Sequence, residues 1–68
     1  MRIDGTQYGV RGKDGVFILV HEPSSEVVGA FYAEEDEPGW WRGAAWGHVR
    51  RFFIPGAEPV DIAVRFLR

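Results

Sequence analysis

At 68 residues, with a formal net charge of −2 and a pI near 5.5, the chain is one small domain, too acidic for a nucleic-acid binder driven by overall charge. Hydrophobic residues at 46% and aromatic residues at 15% exclude intrinsic disorder. No cysteine is present to staple the fold, and two histidines, His21 and His48, are too few for a structural zinc site, so neither metal nor cofactor is expected.

Proline and glycine punctuate the chain too often for a helix before residue 40, and the runs between them are rich in Val, Ile, Phe and Tyr. Residues 2 to 11 read as a first strand, interrupted at Gly5 and Gly9 by a bulge or a close backbone approach. "GKDG" at 12 to 15 supplies a hairpin turn, because Asp-Gly readily takes positive φ. Val16 to Glu22 follows as a strand buried on both faces, then "EPSSE" as a second turn and Glu26 to Ala33 as a third strand. "WWRGAAWGHVRRFF", residues 40 to 53, reads as two strands around Gly47; the alternative is one helix, which Gly43 and Gly47 would each weaken by about 1 kcal/mol. In "PVDIAVRFLR" the residues Val60, Ile62, Val64 and Phe66 alternate with Asp61, Ala63, Arg65 and Leu67, which predicts a last, half-buried strand.

The fold expected is therefore all-β, a five-stranded meander closing into a small barrel, with α+β carrying a helix at about 40–53 as the alternative. Residues 1–68 form a single domain without repeats or linkers. The longest apolar run, Val16-Phe17-Ile18-Leu19-Val20, is far short of the ~18 residues of a membrane span. The opening Met-Arg-Ile-Asp has no signal-peptide core, so a cytoplasmic protein is expected.

The chemistry concentrates around three tryptophans. Neighbouring residues on a strand point to opposite faces, so Trp40 and Trp41 cannot both enter one core. The outward one, beside Arg42 and the acidic run Glu34-Glu35-Asp36-Glu37, makes a flat apolar plate with charge at its edge, a composition common at interaction hot spots. The competing expectation is that the 34–38 loop or arginine stems cover it.

The stretch "VVGAFYAEEDEPGWWRG", residues 27 to 43, is similar to the part of SH3 domains where a strand runs into an acidic loop and a Trp-Trp pair. The resemblance covers about a quarter of the chain. It implies a five-stranded barrel that binds extended proline-rich peptides, with Trp40 as exposed platform, Pro55 and a tyrosine such as Tyr8 lining the groove, and the acidic loop attracting a basic ligand residue. The family's opening Ala-Leu-Tyr-Asp-Tyr strand is absent here, and Pro55 arrives a few residues late.

Signals for catalysis are weak. His21 and Glu22 would point to opposite faces of a strand, and Ser24-Ser25 is accounted for by its turn. His48 precedes Val49-Arg50-Arg51, where positive charge discourages a metal cation. "GVRGKDG" has the spacing of a backbone-clamping loop, but its flanks read as strands, which favours a hairpin. The expected function is a non-enzymatic module that binds a protein or peptide, or a second copy of itself, through Trp40, Trp41, Arg42, Trp46, Tyr8, Phe53 and Pro55. The alternative is a single-stranded nucleic-acid binder in which Trp40, Trp46, Phe52 and Phe53 stack bases while Arg42, Arg50 and Arg51 meet phosphates.

Overall fold

A computed structural model describes all 68 residues. Six antiparallel strands follow one another in chain order: β1 (Arg2–Ile3), β2 (Thr6–Lys13), β3 (Val16–His21), β4 (Glu26–Ala33), β5 (Trp40–Ala45) and β6 (His48–Phe53). The sheet curls into half a barrel, and one helix, α1 (Pro59–Leu67), lies on its inner face. No helix is long and apolar enough to cross a membrane.

The turns follow from local chemistry. Asp4-Gly5 and Asp14-Gly15 both take positive φ, 49° and 81° in the first, 53° and 82° in the second, as tight hairpins require. Gly5 is thus a hairpin corner between β1 and β2 rather than a bulge inside one long first strand. Ser25, with φ 61°, closes the turn between β3 and β4. Residues 40 to 53 are the two strands expected around Gly47, not a helix.

Phe31, Leu19, Ile62 and Phe66 are the largest fully buried side chains. Phe31 lies between Phe17, with ring centroids 5.3 Å apart, and Phe66 at 5.5 Å. That stack needs room on the neighbouring strand, and Gly43, paired directly with Phe31, provides it. A Cβ at Gly43 would stand 2.5 Å from the Phe31 Cβ, a distance no packed core tolerates.

The last segment corrects the strand reading. "PVDIAVRFL" is a helix whose buried residues are Ile62, Ala63, Phe66 and Leu67, spaced at i, i+1, i+4 and i+5. Ile62 and Phe66 satisfy both a period of two and a period of 3.6, so the apolar pattern alone could not separate the alternatives. Pro59 fits the helix start, because its missing N–H and fixed φ suit the first turn, but a strand can also begin with proline. Burial of Ala63 and Leu67 beside Ile62 and Phe66 against the sheet is what selects the helix. Asp61 in the first turn and Arg65 in the last match the helix dipole. Val60, which a strand would bury with Ile62, is 51% exposed. Val60→Thr is therefore expected to change unfolding free energy by less than about 0.5 kcal/mol in urea titrations; a loss of more than about 1.5 kcal/mol would restore the strand assignment.

Helix α1 ends against the β5–β6 hairpin. The last four carbonyls of a helix have no partners within it. Arg50 Nη2 donates to the carbonyls of Arg65 (3.1 Å), Phe66 (2.5 Å) and Arg68 (3.3 Å), and Trp46 Nε1 donates to that of Leu67 (3.0 Å). Two side chains from one hairpin thus cap the helix C-terminus, one of them a cation at the negative end of the dipole.

Candidate functional site

Pleating sends the three tryptophans to three different places. Trp41 faces inwards, 6.0 Å from Phe31 and 6.3 Å from Phe17 between ring centroids, with Nε1 donating to the Ile54 carbonyl at 3.4 Å. It belongs to the core, which removes it from the expected contact surface. Trp40 faces outwards and pairs across the ladder with Phe53, their rings 5.4 Å apart. Trp46 occupies the tip of the β5–β6 turn.

Around Trp40 the acidic loop and the arginines engage each other. Arg51 stands over the Trp40 ring, its Cζ 4.3 Å from the centroid, and donates to Glu34 Oε2 at 2.6 Å and to a Glu37 carboxylate oxygen. The Glu34 hydrogen bond, then that of Glu37, holds the Arg51 guanidinium above its ordinary pKa, so it stays charged at any accessible pH. Arg42 lies 3.8 Å from Glu34. The loop closes on the strand end through the Glu34 N–H, which donates to the Trp40 carbonyl at 2.9 Å. Gly39, with φ 90°, tucks beneath Phe53 and the exposed Pro55; a Cβ there would come within 3.3 Å of the Pro55 Cβ. Trp40, Phe53, Pro55 and Arg42 are thus brought together, and Arg51 partly covers the Trp40 plate.

The outer face extends well beyond Trp40. Register places Arg11, Ile18, Ala30, Ala44 and Val49 in one row across five strands, with Lys13, Val16, Tyr32, Arg42 and Arg51 in the next. A water-facing antiparallel sheet usually alternates polar residues outwards. Here four successive members of the first row are apolar instead. Val49 is 75% exposed, Phe53 57%, Tyr32 41% and Val16 39%. Ile18, Ala30, Tyr32 and Val49 were not among the expected contact residues. Part of their signal was available in the sequence, since β3 and β4 run without a charged residue through Val16–Val20 and Val27–Ala33, but it needed the register to line them up with Ala44 and Val49.

Tyr8 and Trp46 lie at the opposite end of the sheet. Trp40 and Ala45 bound β5, roughly 17 Å apart at strand rise. Tyr8 packs on the inner side, its ring 6.2 Å from Trp46 at 79° and 5.8 Å from His21 at 68°. The pairing of Tyr8 with Trp40 and Pro55 in one peptide groove, implied by the SH3 likeness, does not occur. Trp46 is 48% exposed and has φ 56°, a left-handed backbone that costs a bulky residue about 1–2 kcal/mol.

Comparison of this chain with protein-family models, curated proteins and solved structures finds no match.

Proposed function

We propose that the chain is a small non-enzymatic binding module that docks protein on the outer face of its sheet, with a second copy of itself as the occupant. The observation that carries this reading is the apolar row Ile18–Ala30–Ala44–Val49, flanked by exposed Val16, Tyr32 and Phe53. The fold does not need that face for its own core, because the accessible surface of 4508 Å² is close to the roughly 4,300 Å² expected for a compact monomer of this mass. The exposed apolar groups are left over after the chain has folded, which is the usual mark of an interaction surface.

A second copy suits the charge pattern. The face carries Arg42 and Arg51 beside Glu34 and Glu37, and Arg11 beside Glu22 at 3.2 Å. Such a mixture of signs is self-complementary under a two-fold axis, whereas a strongly acidic or basic partner would meet half of it with repulsion. Small Ala30 and Ala44 at the centre let two sheets approach to about 10 Å, the spacing of a sandwich. The same ion pairs weigh against a single-stranded nucleic acid, since Arg42 and Arg51 already face carboxylates.

Sedimentation equilibrium over a dilution series tests this reading. The expected result is a reversible dimer that Val49→Lys or Phe53→Ser shifts at least ten-fold towards monomer with unchanged circular dichroism. A monomer at every concentration, unaffected by either substitution, would remove the second copy as the occupant. Oligonucleotide quenching of tryptophan fluorescence at low salt would instead support nucleic acid.

A further inference from the structure

We propose a second site, separate from the outer face: the cleft between the β3–β4 turn and the tip of the β5–β6 hairpin binds a methylated or quaternary ammonium group. The cleft, about 340 Å³, is lined by Tyr8, His21, Ser24, Glu26, Val28 and Trp46. That volume lies at the lower end of the range of small-molecule pockets, roughly 300–1,000 Å³.

Its chemistry selects a soft cation. Tyr8 meets both His21 and Trp46 edge to face, so the three rings form a corner rather than a flat stack. A cation seated in such a corner lies near more than one π system, and alkylated ammonium groups are the usual guests because little hydration has to be removed from them. Glu26 supplies a carboxylate among the six lining residues, and no lysine or arginine stands among them. An anion would meet repulsion there, and a neutral apolar group would gain nothing from the carboxylate.

The walls are fixed before any ligand arrives. His21 Nδ1 lies 2.6 Å from Ser24 Oγ, and the Glu26 N–H donates to the same oxygen at 3.4 Å, tying the His21 ring to the turn that carries Glu26. Trp46 is pinned from behind by its bond to the Leu67 carbonyl. Most telling is the backbone at Trp46-Gly47, with φ 56° and 80°. Hairpin turns of this kind take Asn or Asp at the first position; the tryptophan there donates its indole N–H to the helix end and leaves its ring 48% exposed beside the cleft.

The test follows the Trp46 indole N–H by NMR during titration of the full chain with tetramethylammonium chloride, against sodium chloride at matched ionic strength. A saturable shift with a Kd on the order of 1 mM is expected, and tert-butanol, the neutral isostere, should bind at least ten-fold more weakly. Calorimetry on two variants separates binding from folding. Glu26→Gln, at an exposed position, should weaken binding several-fold, and Trp46→Asn, suited to the left-handed turn, should abolish it while the chain stays folded. Titration with choline and with a trimethyl-lysine peptide then assigns the source, according to which binds more tightly. No saturable shift at roughly 50 mM, equal binding of the neutral isostere, or unchanged affinity in both variants would overturn the proposal.

Discussion

Phe31→Ala is expected to leave the chain largely unfolded at room temperature. Phe31 is fully buried and touches three other rings: Phe17, Phe66 and Trp41. Truncating such a phenylalanine costs about 3–5 kcal/mol, the lost transfer free energy plus the cavity left behind. A domain of this length has only roughly 3–10 kcal/mol of stability in total. Gly43, paired with Phe31 on the neighbouring strand, has no side chain that could move into the cavity. Tyr32→Ala, one residue along and on the outer face, should cost under about 1 kcal/mol. Urea titration followed by far-ultraviolet circular dichroism compares the two; equal losses at both positions would mean that the sheet's inner and outer faces have been misassigned.

Arg50→Met should lower stability by about 2–3 kcal/mol, equivalent to a melting temperature drop of roughly 10–20 °C. The methionine keeps the apolar stem but strips the donors from the carbonyls of Arg65, Phe66 and Arg68. Part of the loss is offset, since Arg50 Nε is buried without a partner and that unmet group disappears with the guanidinium. The guanidinium also sits 5.3 Å from the Phe52 ring centroid and 5.9 Å from that of Phe66, a favourable placement that methionine only partly replaces. Arg50→Lys should recover less than half of the loss, because its shorter stem holds the ammonium back from the carbonyls and it cannot lay a flat cation beside the Phe52 and Phe66 rings. Faster amide exchange in Ile62–Leu67 than in β3 would locate the damage at the helix. Uniform acceleration across the sheet would show that Arg50 supports the whole core instead.

The sequence carried the strands well, because their turns have local causes. Asp14-Gly15 and the β-branched runs around it are readable from a few neighbouring residues. The helix was hidden for the opposite reason. Ile62 and Phe66 fit two periodicities, and what distinguishes them is that Ala63 and Leu67 meet the sheet, a fact about distant residues. The first strand was drawn too long because Gly5 is compatible with both a bulge and a corner.

The site was legible in its logic and incomplete in its members. Opposite facing of Trp40 and Trp41 follows from pleating alone, and it holds. Which of the two enters the core depends on Phe31 and Phe66, which lie far away in sequence. Placing Tyr8 with Trp40 required a closed barrel, whereas the sheet stops at half a barrel and leaves the two at opposite ends. Arg50 looked like one of several surface cations. Its capping role exists only because the segment after it is a helix, so the misreading of one concealed the other.

The order of elements along the chain also bears on how the protein emerges during synthesis. Each strand pairs with the one made just before it, so the sheet can assemble progressively from short loop closures. The segment that covers its inner rings follows all six strands. Until residues 59 to 67 pack against the sheet, Phe31 and Phe52 lack the Phe66 ring that covers them. A nascent chain stalled in that interval presents the sticky surface that chaperones recognise, and it would be the form most prone to aggregate.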